Sequence, residues 1–373
     1  MKRLLHLQLL PLLSGCQNFS LFLLDGLPKN QFDIYVASAP DGDFVEAVKA
    51  RGYHYLPLKY MKRPISIKDT LALAELYLLM KRYHFDIVHT NSSKPGFLGR
   101  LAAACSHIPL ILHTEHGTSF QSDQSIWQQN LYKQLEKWAN NMSDYVVFVN
   151  NTDRLQCLKL GLVSPSKAIT INNALPYEQV QILTNIAQER AYKLDKEEFV
   201  IGSTIRFSQQ KNVINLISAA CQACKKESQL KFIILGEGEY WDLCRQIVHS
   251  YGLNERIILP GWDNKIEKWL ALFDAFILYS RWEAQPFSVI EAMHSGLPII
   301  ISDIPSLREL VTEECGWLVP LDNQAALIQC LIEVATHRDI AFEKGIAASQ
   351  RIKEISDYKT MVNSYLQLYR KVI

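Results

Sequence analysis

Short apolar runs alternate along this chain with longer segments whose apolar positions recur every three or four residues. Runs such as Phe32-Asp-Ile-Tyr-Val-Ala-Ser and Leu230-Lys-Phe-Ile-Ile-Leu are too short for helices and are bounded by Gly, Pro, Asn or Asp. They predict parallel strands buried on both faces by crossover helices, so the fold class is α/β. In the first half the predicted strands are 2–10, 32–38, 53–57, 85–89, 109–113, 144–149 and 168–171, with helices notably at 17–27, 66–83, 96–106 and 124–140. The second half repeats the alternation, with strands at 199–204, 230–235, 256–259, 274–279, 298–302 and 317–319. Its helices are expected at 212–224, 240–251, 265–271, 287–295 and 322–336.

Between the halves, residues 172–198 carry Asn172-Asn173, Pro176 and a charged run but no strand signal. The expected organisation is a Rossmann-like domain over 1–176, a linker over 177–198, and a second Rossmann-like domain over 199–356. Residues 357–373 place Tyr358, Met361, Tyr365, Leu368 and Tyr369 at helical spacing, which predicts a helix crossing back to the first domain. Two doubly wound domains facing each other would bring their strand C-terminal ends, where such sheets bind ligands, to one central cleft.

Length supports this division: 373 residues suffice for two cores. With 48% hydrophobic and 21% charged residues the composition excludes disorder, collagen and coiled coil. A net charge of +1 argues against a dedicated nucleic-acid binder. Residues 1–111 are the basic part, with 13 Lys and Arg against 8 Asp and Glu. No apolar run is long enough to span a bilayer. The eight cysteines are scattered through apolar segments, and Cys221-x-x-Cys224 reads as helix interior. The start, Met1-Lys-Arg with a Leu-rich stretch ending at Gly15-Cys16, also has the form of a lipoprotein signal. His6 and Gln8 interrupt it, and the preferred reading is a buried first strand, a turn at Gly15 and a helix.

Three stretches carry candidate chemistry. In Tyr279-Ser-Arg-Trp-Glu283-Ala-Gln285-Pro286-Phe287-Ser288-Val-Ile-Glu291 a strand runs through a loop into a helix. The amides at 286–288, of which Pro286 contributes no N–H, then sit at the positive end of a helix dipole, an anion site. Glu283 and Glu291 are carboxylates suited to accept hydrogen bonds from sugar hydroxyls. Arg206 and Lys211 bracket the loop after Ile201-Gly202-Ser-Thr-Ile, where two cations suit a diphosphate. Gly236-Glu237-Gly238 is a glycine turn between strand and helix, which allows a backbone to approach a nucleotide. In the first half Gly15 and His113-Thr-Glu115-His116-Gly117 close strands; the latter has poor spacing for a metal and reads instead as a polar loop at a reacting centre.

These residues resemble the retaining family 4 glycosyltransferases of the GT-B fold. Glu283 to Glu291 is similar to the family's E-x7-E signature, Arg206 and Lys211 to its diphosphate pair, and Gly236 to Gly238 to its GxG turn. Val88-His89-Thr90 and His113 to Gly117 are similar to its first-domain loops. The sequence differs from the family in having Ala284 and Pro286 where glycines are usual, and Gly15-Cys16 where Gly-Gly is usual. The resemblance implies transfer of a hexose or N-acetylhexosamine from a nucleotide-diphosphate sugar, UDP-linked rather than GDP-linked, with retention and without a metal or other cofactor. Glu283 would hold the donor hexose, Glu291 the ribose, and Arg206 and Lys211 the leaving diphosphate. Gly202, Gly236, Glu237, Gln285, Pro286, Phe287 and Ser288 would complete the donor site, with Gly15 and His116 meeting the donor from the other domain.

The implied acceptor is a saccharide or polyprenyl-linked lipid in bacterial cell-surface polysaccharide synthesis, reached in the cytoplasm or at the inner face of the membrane. The basic stretch Lys59 to Lys68 is a candidate contact with anionic lipid. Two rival readings are a GT-B nucleotide-sugar epimerase and a surface lipoprotein or nucleotide-binding module without turnover.

Overall fold

A computed structural model describes residues 1–62, 69–120, 124–190 and 197–372. The chain divides into two compact units, one of residues 1–173 with the residues from Tyr358 onward, the other Ala174–Asp357.

The first unit runs β1 (Lys2–Leu7), α1 (Gly15–Asp25), β2 (Phe32–Ser38), α2 (Asp43–Ala50), β3 (His54–Pro57), α3 (Asp69–Tyr83) and β4 (Ile87–Asn91). It continues through α4 (Ser93–Cys105), β5 (Leu110–Glu115), α5 (Ile126–Met142), β6 (Tyr145–Phe148), α6 (Asn151–Lys159) and β7 (Ala168–Thr170). Its seven strands are all parallel, in the order β3-β2-β1-β4-β5-β6-β7. The segment that has the form of a lipoprotein signal is thus a strand at the middle of this sheet, with Leu4, Leu5 and Leu7 fully buried, leading into α1. Right-handed crossovers set α1 and α2 on one face and α3 to α6 on the other. The core beneath α3 and α4 is Leu5, Leu7, Ala72, Leu76, Met80, Val88, Leu98 and Ile111 with their neighbours.

The second unit begins with α7 (Tyr177–Arg190) and runs β8 (Phe199–Thr204), α8 (Val213–Lys226), β9 (Leu230–Leu235), α9 (Trp241–Ser250), β10 (Ile257–Gly261), α10 (Glu267–Leu270) and β11 (Ala275–Leu278). Then come α11 (Phe287–His294), β12 (Ile299–Ser302), α12 (Pro305–Leu310), β13 (Gly316–Val319), α13 (Gln324–Thr336) and α14 (Arg338–Ile355). Six parallel strands take the order β10-β9-β8-β11-β12-β13. Most of the segment expected as a linker is α7, which buries Leu183 and brings Ala187 against Gly296, so it is part of this unit's packing. Cys221 and Cys224 are buried, unbridged residues of α8.

The chain then returns to the first unit in α15 (Tyr358–Tyr369). Met361, Tyr365, Leu368 and Tyr369 are buried, and the Tyr358 hydroxyl donates to the Phe22 carbonyl. Tyr369 Oη lies 2.6 Å from His89 Nδ1 and Tyr365 Oη 3.1 Å from Thr114 Oγ1, so the helix is bonded to the strands it covers. Removing the hydroxyl in Tyr369→Phe leaves a buried ring nitrogen without its partner. We expect a loss of about 1–3 kcal/mol in unfolding free energy, read from the denaturant midpoint.

Candidate active site

In both sheets the strand order reverses between two central neighbours, β1 and β4 in the first unit and β8 and β11 in the second. Loops leaving such a pair run in opposite directions and open a crevice at the strand C-terminal ends. Lys211 follows β8 and Glu283 follows β11, so 72 residues of sequence separation close to an ion pair of 2.5 Å between Lys211 Nζ and Glu283 Oε1. Both side chains are largely shielded, at 15% and 7% exposure.

Further bonds stitch the two loops together. Arg281 donates its amide to the Gln210 carbonyl (2.8 Å), and Gln210 Nε2 donates to the Trp282 carbonyl (3.0 Å). Ser306 Oγ donates to the Glu283 carbonyl at 2.7 Å. Gln210, Arg281 and Ser306 were not expected from sequence; they are ordinary polar residues whose part is visible only once the loops meet.

Glu291 is buried inside α11, and its carboxylate accepts no hydrogen bond among the described residues. Burial first, and then the negative charge of Glu267, pushes its carboxyl up to about 7. Pro286 is the residue before α11, extended at φ −72° and ψ 127°, and no side chain caps the helix there. Gln285 and Phe287 are buried beside it, while Ser288 is half-buried. Arg206 is exposed on the loop after β8.

Two of the glycines expected at the donor site are required by the packing of the chain itself. Gly202 is fully inside β8, where an added Cβ would overlap the Phe273 ring, so it makes room in the core. Gly236, at φ +126°, would drive a Cβ into the Ile205 carbonyl oxygen. The GxG turn therefore admits the chain's own Ile205–Phe207 backbone, and Phe207 donates its amide to the Glu237 carbonyl at 2.9 Å. Its consequence for the site is indirect, since that backbone carries Arg206.

The first unit gathers polar side chains at the tips of β1, β4 and β5. His89 and His113 lie within strands and not in loops; of that motif only His116 and Gly117 lie beyond β5. His6 and His89 are register partners with ring centroids 4.5 Å apart. Asn91 links the cluster, with Nδ2 2.7 Å from His6 Nε2 and Oδ1 3.0 Å from His116 Nε2. Because an amide oxygen only accepts, the His116 proton sits on Nε2 and Nδ1 is left as an acceptor. Gly15 is exposed at the start of α1, and the neighbouring Cys16 Sγ lies 3.2 Å from Ser92 Oγ across the β1–β4 reversal.

Burial above all drives these histidines toward neutrality, His6 and His116 down to about 3, and His89 and His113 well below the usual range. Deeper still, burial lifts the Glu115 carboxyl to about 8, so that at neutral pH it can donate to His113 Nε2 at 3.3 Å. His113, Glu115 and Glu136 offer ligand atoms within 4.8 Å of one another. The fully buried Arg100 guanidinium supplies positive charge there, bonded to Glu136 (3.2 Å), Asn140 (2.6 Å) and the Gly96 carbonyl (2.7 Å). The alternation Leu-His6-Leu-Gln8, Val-His89-Thr-Asn91 and Leu-His113-Thr-Glu115, polar positions inside otherwise buried strands, is the sequence signal that could have found this cluster.

Residues 13–179 match the sequence profile of Glycosyltransferase Family 4, and residues 185–348 match that of Glycosyl transferases group 1. The chain belongs to the family 4 glycosyltransferases. The transferase is 35% identical, over 89% of its own length and 87% of the relative's, to an Escherichia coli UDP-Gal:alpha-D-GlcNAc-diphosphoundecaprenol alpha-1,3-galactosyltransferase. A shorter match, 30% identical over 45% of the chain and 44% of the relative, is to a Campylobacter jejuni N-acetylgalactosaminyltransferase whose named acceptor is also a diphospho-undecaprenol. Among solved structures, Anabaena HepE in complex with UDP-glucose covers both chains completely with a TM-score of 0.83 at 17% identity. That likeness assigns the GT-B fold.

Two results are expected. Glu291 is worse off folded than unfolded once the pH exceeds its unfolded pKa of 4.5, because the native state must keep it protonated up to about 7. Glu291→Gln should therefore stabilise the transferase at pH 8, by at most roughly 3 kcal/mol, read from the denaturant midpoint. The histidines have the opposite sign of dependence: they are held neutral in the native state, so stability is complete above pH 6.5 and is lost as pH falls toward 3. His116→Gln should flatten the pH slope of unfolding by about 1.4 kcal/mol per unit within that window, measured by denaturation at successive pH values.

Proposed function

We propose that the transferase moves a galactosyl residue from UDP-galactose to the sugar of a GlcNAc-diphosphopolyprenol, forming an α linkage with retention, as a step in building a bacterial surface polysaccharide. The observation that carries this reading is the 35% identity with the Escherichia coli galactosyltransferase, sustained over nearly the full length of both chains. A reaction on a polyprenyl acceptor takes place at the cytoplasmic face of the membrane. No helix among the described residues is long and apolar enough to cross that membrane, so contact with it is peripheral in this reading.

The roles assigned to side chains belong to the same proposal. The ester bond between the anomeric carbon and the diphosphate breaks, its electron pair leaving with UDP, and Lys211 and Arg206 stabilise that growing charge. Glu283 accepts from hydroxyls of the hexose while its contact with Lys211 fixes both groups in place. Glu291 receives the ribose diol, a partner that its buried carboxylate otherwise lacks. The phosphate oxygen vacated on the leaving group takes the proton of the attacking acceptor hydroxyl, so no side chain need serve as the base.

His116 supports this distribution of labour. A group held near a pKa of 3 neither stores nor gives up a proton at neutral pH. Its part is that of a neutral acceptor, Nδ1, for a donor or acceptor hydroxyl, with Asn91 fixing the ring through Nε2.

Purified protein is to be supplied with a synthetic GlcNAc-diphospholipid and, in separate reactions, UDP-galactose, UDP-glucose, UDP-GlcNAc and GDP-mannose. Product should form with UDP-galactose and carry an α-galactose by proton NMR; transfer from another donor alone, or no transfer, overturns the assignment. Lys211→Met and Glu283→Gln should each lower kcat/KM by about 10²–10³-fold. Turnover at the parental rate in both variants would remove these residues from the site.

A further inference from the structure

Helices α3 and α5 flank α4 on one face of the first unit's sheet, and each turns an apolar stripe outward. On α5, Trp127, Leu131 and Trp138 recur at helical spacing on one side, with Ile126 beside them, and they are 72%, 40%, 50% and 79% exposed. The capping box of Ser125 and Gln128 fixes the start of this helix, with Ser125 Oγ accepting the Gln128 amide and Gln128 Oε1 accepting the Ser125 amide. What α5 buries instead is Glu136, Ala139 and Asn140, with Glu136 bonded to Arg100. On α3, Leu71 and Leu78 lie outward, 48% and 65% exposed, one above the other at two-turn spacing. Ordinary surfaces scatter single apolar residues; two helices on one face of the sheet, one either side of α4, that each expose apolar residues at helical spacing, one of them with two tryptophans, mark a face that meets something apolar.

Charge identifies the partner. Lys81, Arg82 and Lys137 are exposed on these two helices. Their carboxylates, by contrast, are all engaged within the protein: Asp69 pairs with Lys94 at 2.6 Å, Glu136 with Arg100, and Glu75 accepts the amides of Lys59 and Tyr60. The last pair of bonds also ties Lys59 and Tyr60 to the side of α3; Met61 next to them enters the core, and the exposed Lys62 follows it. Residues 63–68 of the basic stretch expected to touch lipid lie outside the described residues. A surface of tryptophan and leucine edged by uncompensated cations is complementary to the headgroup region of an anionic bilayer.

Topology gives the surface a direction. Crossover helices run antiparallel to their strands, so the first turns of α3 and α5, with Leu71, Ile126 and Trp127, stand at the edge where the strands end. That is also the edge at which His116 follows β5.

We propose that the outward faces of α3 and α5 form an interfacial docking surface for an anionic lipid bilayer, with the α5 tryptophans at headgroup depth and the lysines and arginine against lipid phosphate. The proposal extends the reading of a polyprenyl-linked acceptor, yet it is tested without turnover, so the two can fail separately.

The full-length protein is to be floated with vesicles of phosphatidylcholine alone or of phosphatidylcholine with phosphatidylglycerol, at low and high salt. It should float with the anionic vesicles at low salt, its tryptophan emission should shift to the blue, and high salt should release it. Trp127→Gln with Leu131→Gln and Trp138→Gln should lower vesicle partition at least about tenfold, and Lys81→Gln with Arg82→Gln roughly fivefold per charge removed. Unchanged melting temperature and unchanged turnover of a short-chain, water-soluble acceptor would show that neither variant has lost its fold or its catalytic site. Three outcomes overturn the proposal: wild type that ignores anionic vesicles, a triple variant that binds them as wild type does, and a wild type whose dimer, absent in the triple variant, accounts for the covered face. Vesicle binding with no transfer to any GlcNAc-diphospholipid would leave the surface standing and remove the acceptor reading.

Discussion

Parallel strands covered by helices on both faces leave charge and polar chemistry few places to lie except their C-terminal tips. Every strand pairing among the described residues is parallel, and the strand middles are apolar almost throughout. The chain must also reverse its direction of progress across each sheet, and the reversal is where neighbouring loops part. Lys211 and Glu283 lie at such a reversal in the second unit, and Gly15, Cys16 and Ser92 at the corresponding place in the first. Site positions thus follow from the rule of burial as much as from chemistry.

The two units handle buried polarity differently. In the second, an ion pair is kept at the tips and the Glu291 carboxylate, in the helix that follows, has no partner among the described residues, with the backbone of the loops held by bonds from Gln210, Arg281 and Ser306. Burying Glu291 with its pKa raised to about 7 costs stability and is the kind of expense found at functional positions, where a ligand supplies what the protein withholds. In the first unit most of the polar groups at the strand tips bond to one another, although His6 Nδ1 and Glu115 Oε1 find no partner among the described residues. Tyr369, His89, Thr114 and Tyr365 form a continuous set of hydrogen bonds that ties α15 to β4 and β5. His116 joins the rest of the cluster through Asn91, so its orientation depends on residues from three strands.

Close packing also accounts for two of the glycines. Gly202 and Gly236 look alike in the sequence as punctuation near strand ends, and both resemble parts of a nucleotide site. One sits beneath Phe273 and the other against the Ile205 carbonyl. Close approach demands glycine in both cases, and the protein's own atoms are enough to require it.

Much of the fold was legible in the chain alone. Strand runs such as 32–38, 199–204 and 230–235 were bounded correctly because a strand buried on both faces is a continuous apolar run stopped by turn residues. The α/β class, the two-unit division and the loops carrying Glu283 and Lys211 follow from that alternation, and the family was readable from motifs those loops carry. The helix α7 was not legible, since its weak periodicity and charged end resemble a tether until Leu183 and Ala187 meet their neighbours. Nor could sequence foresee the contact between Lys211 and Glu283, because pairing across 72 residues depends on strand order, which local pattern does not encode. The plainest case is α5. Trp127, Leu131 and Trp138 have the spacing of a core stripe, yet Glu136, Ala139 and Asn140 face inward. Periodicity tells which residues share a side of a helix; only the neighbours brought by the tertiary fold, here Arg100 with its need for a buried carboxylate, decide which side is covered.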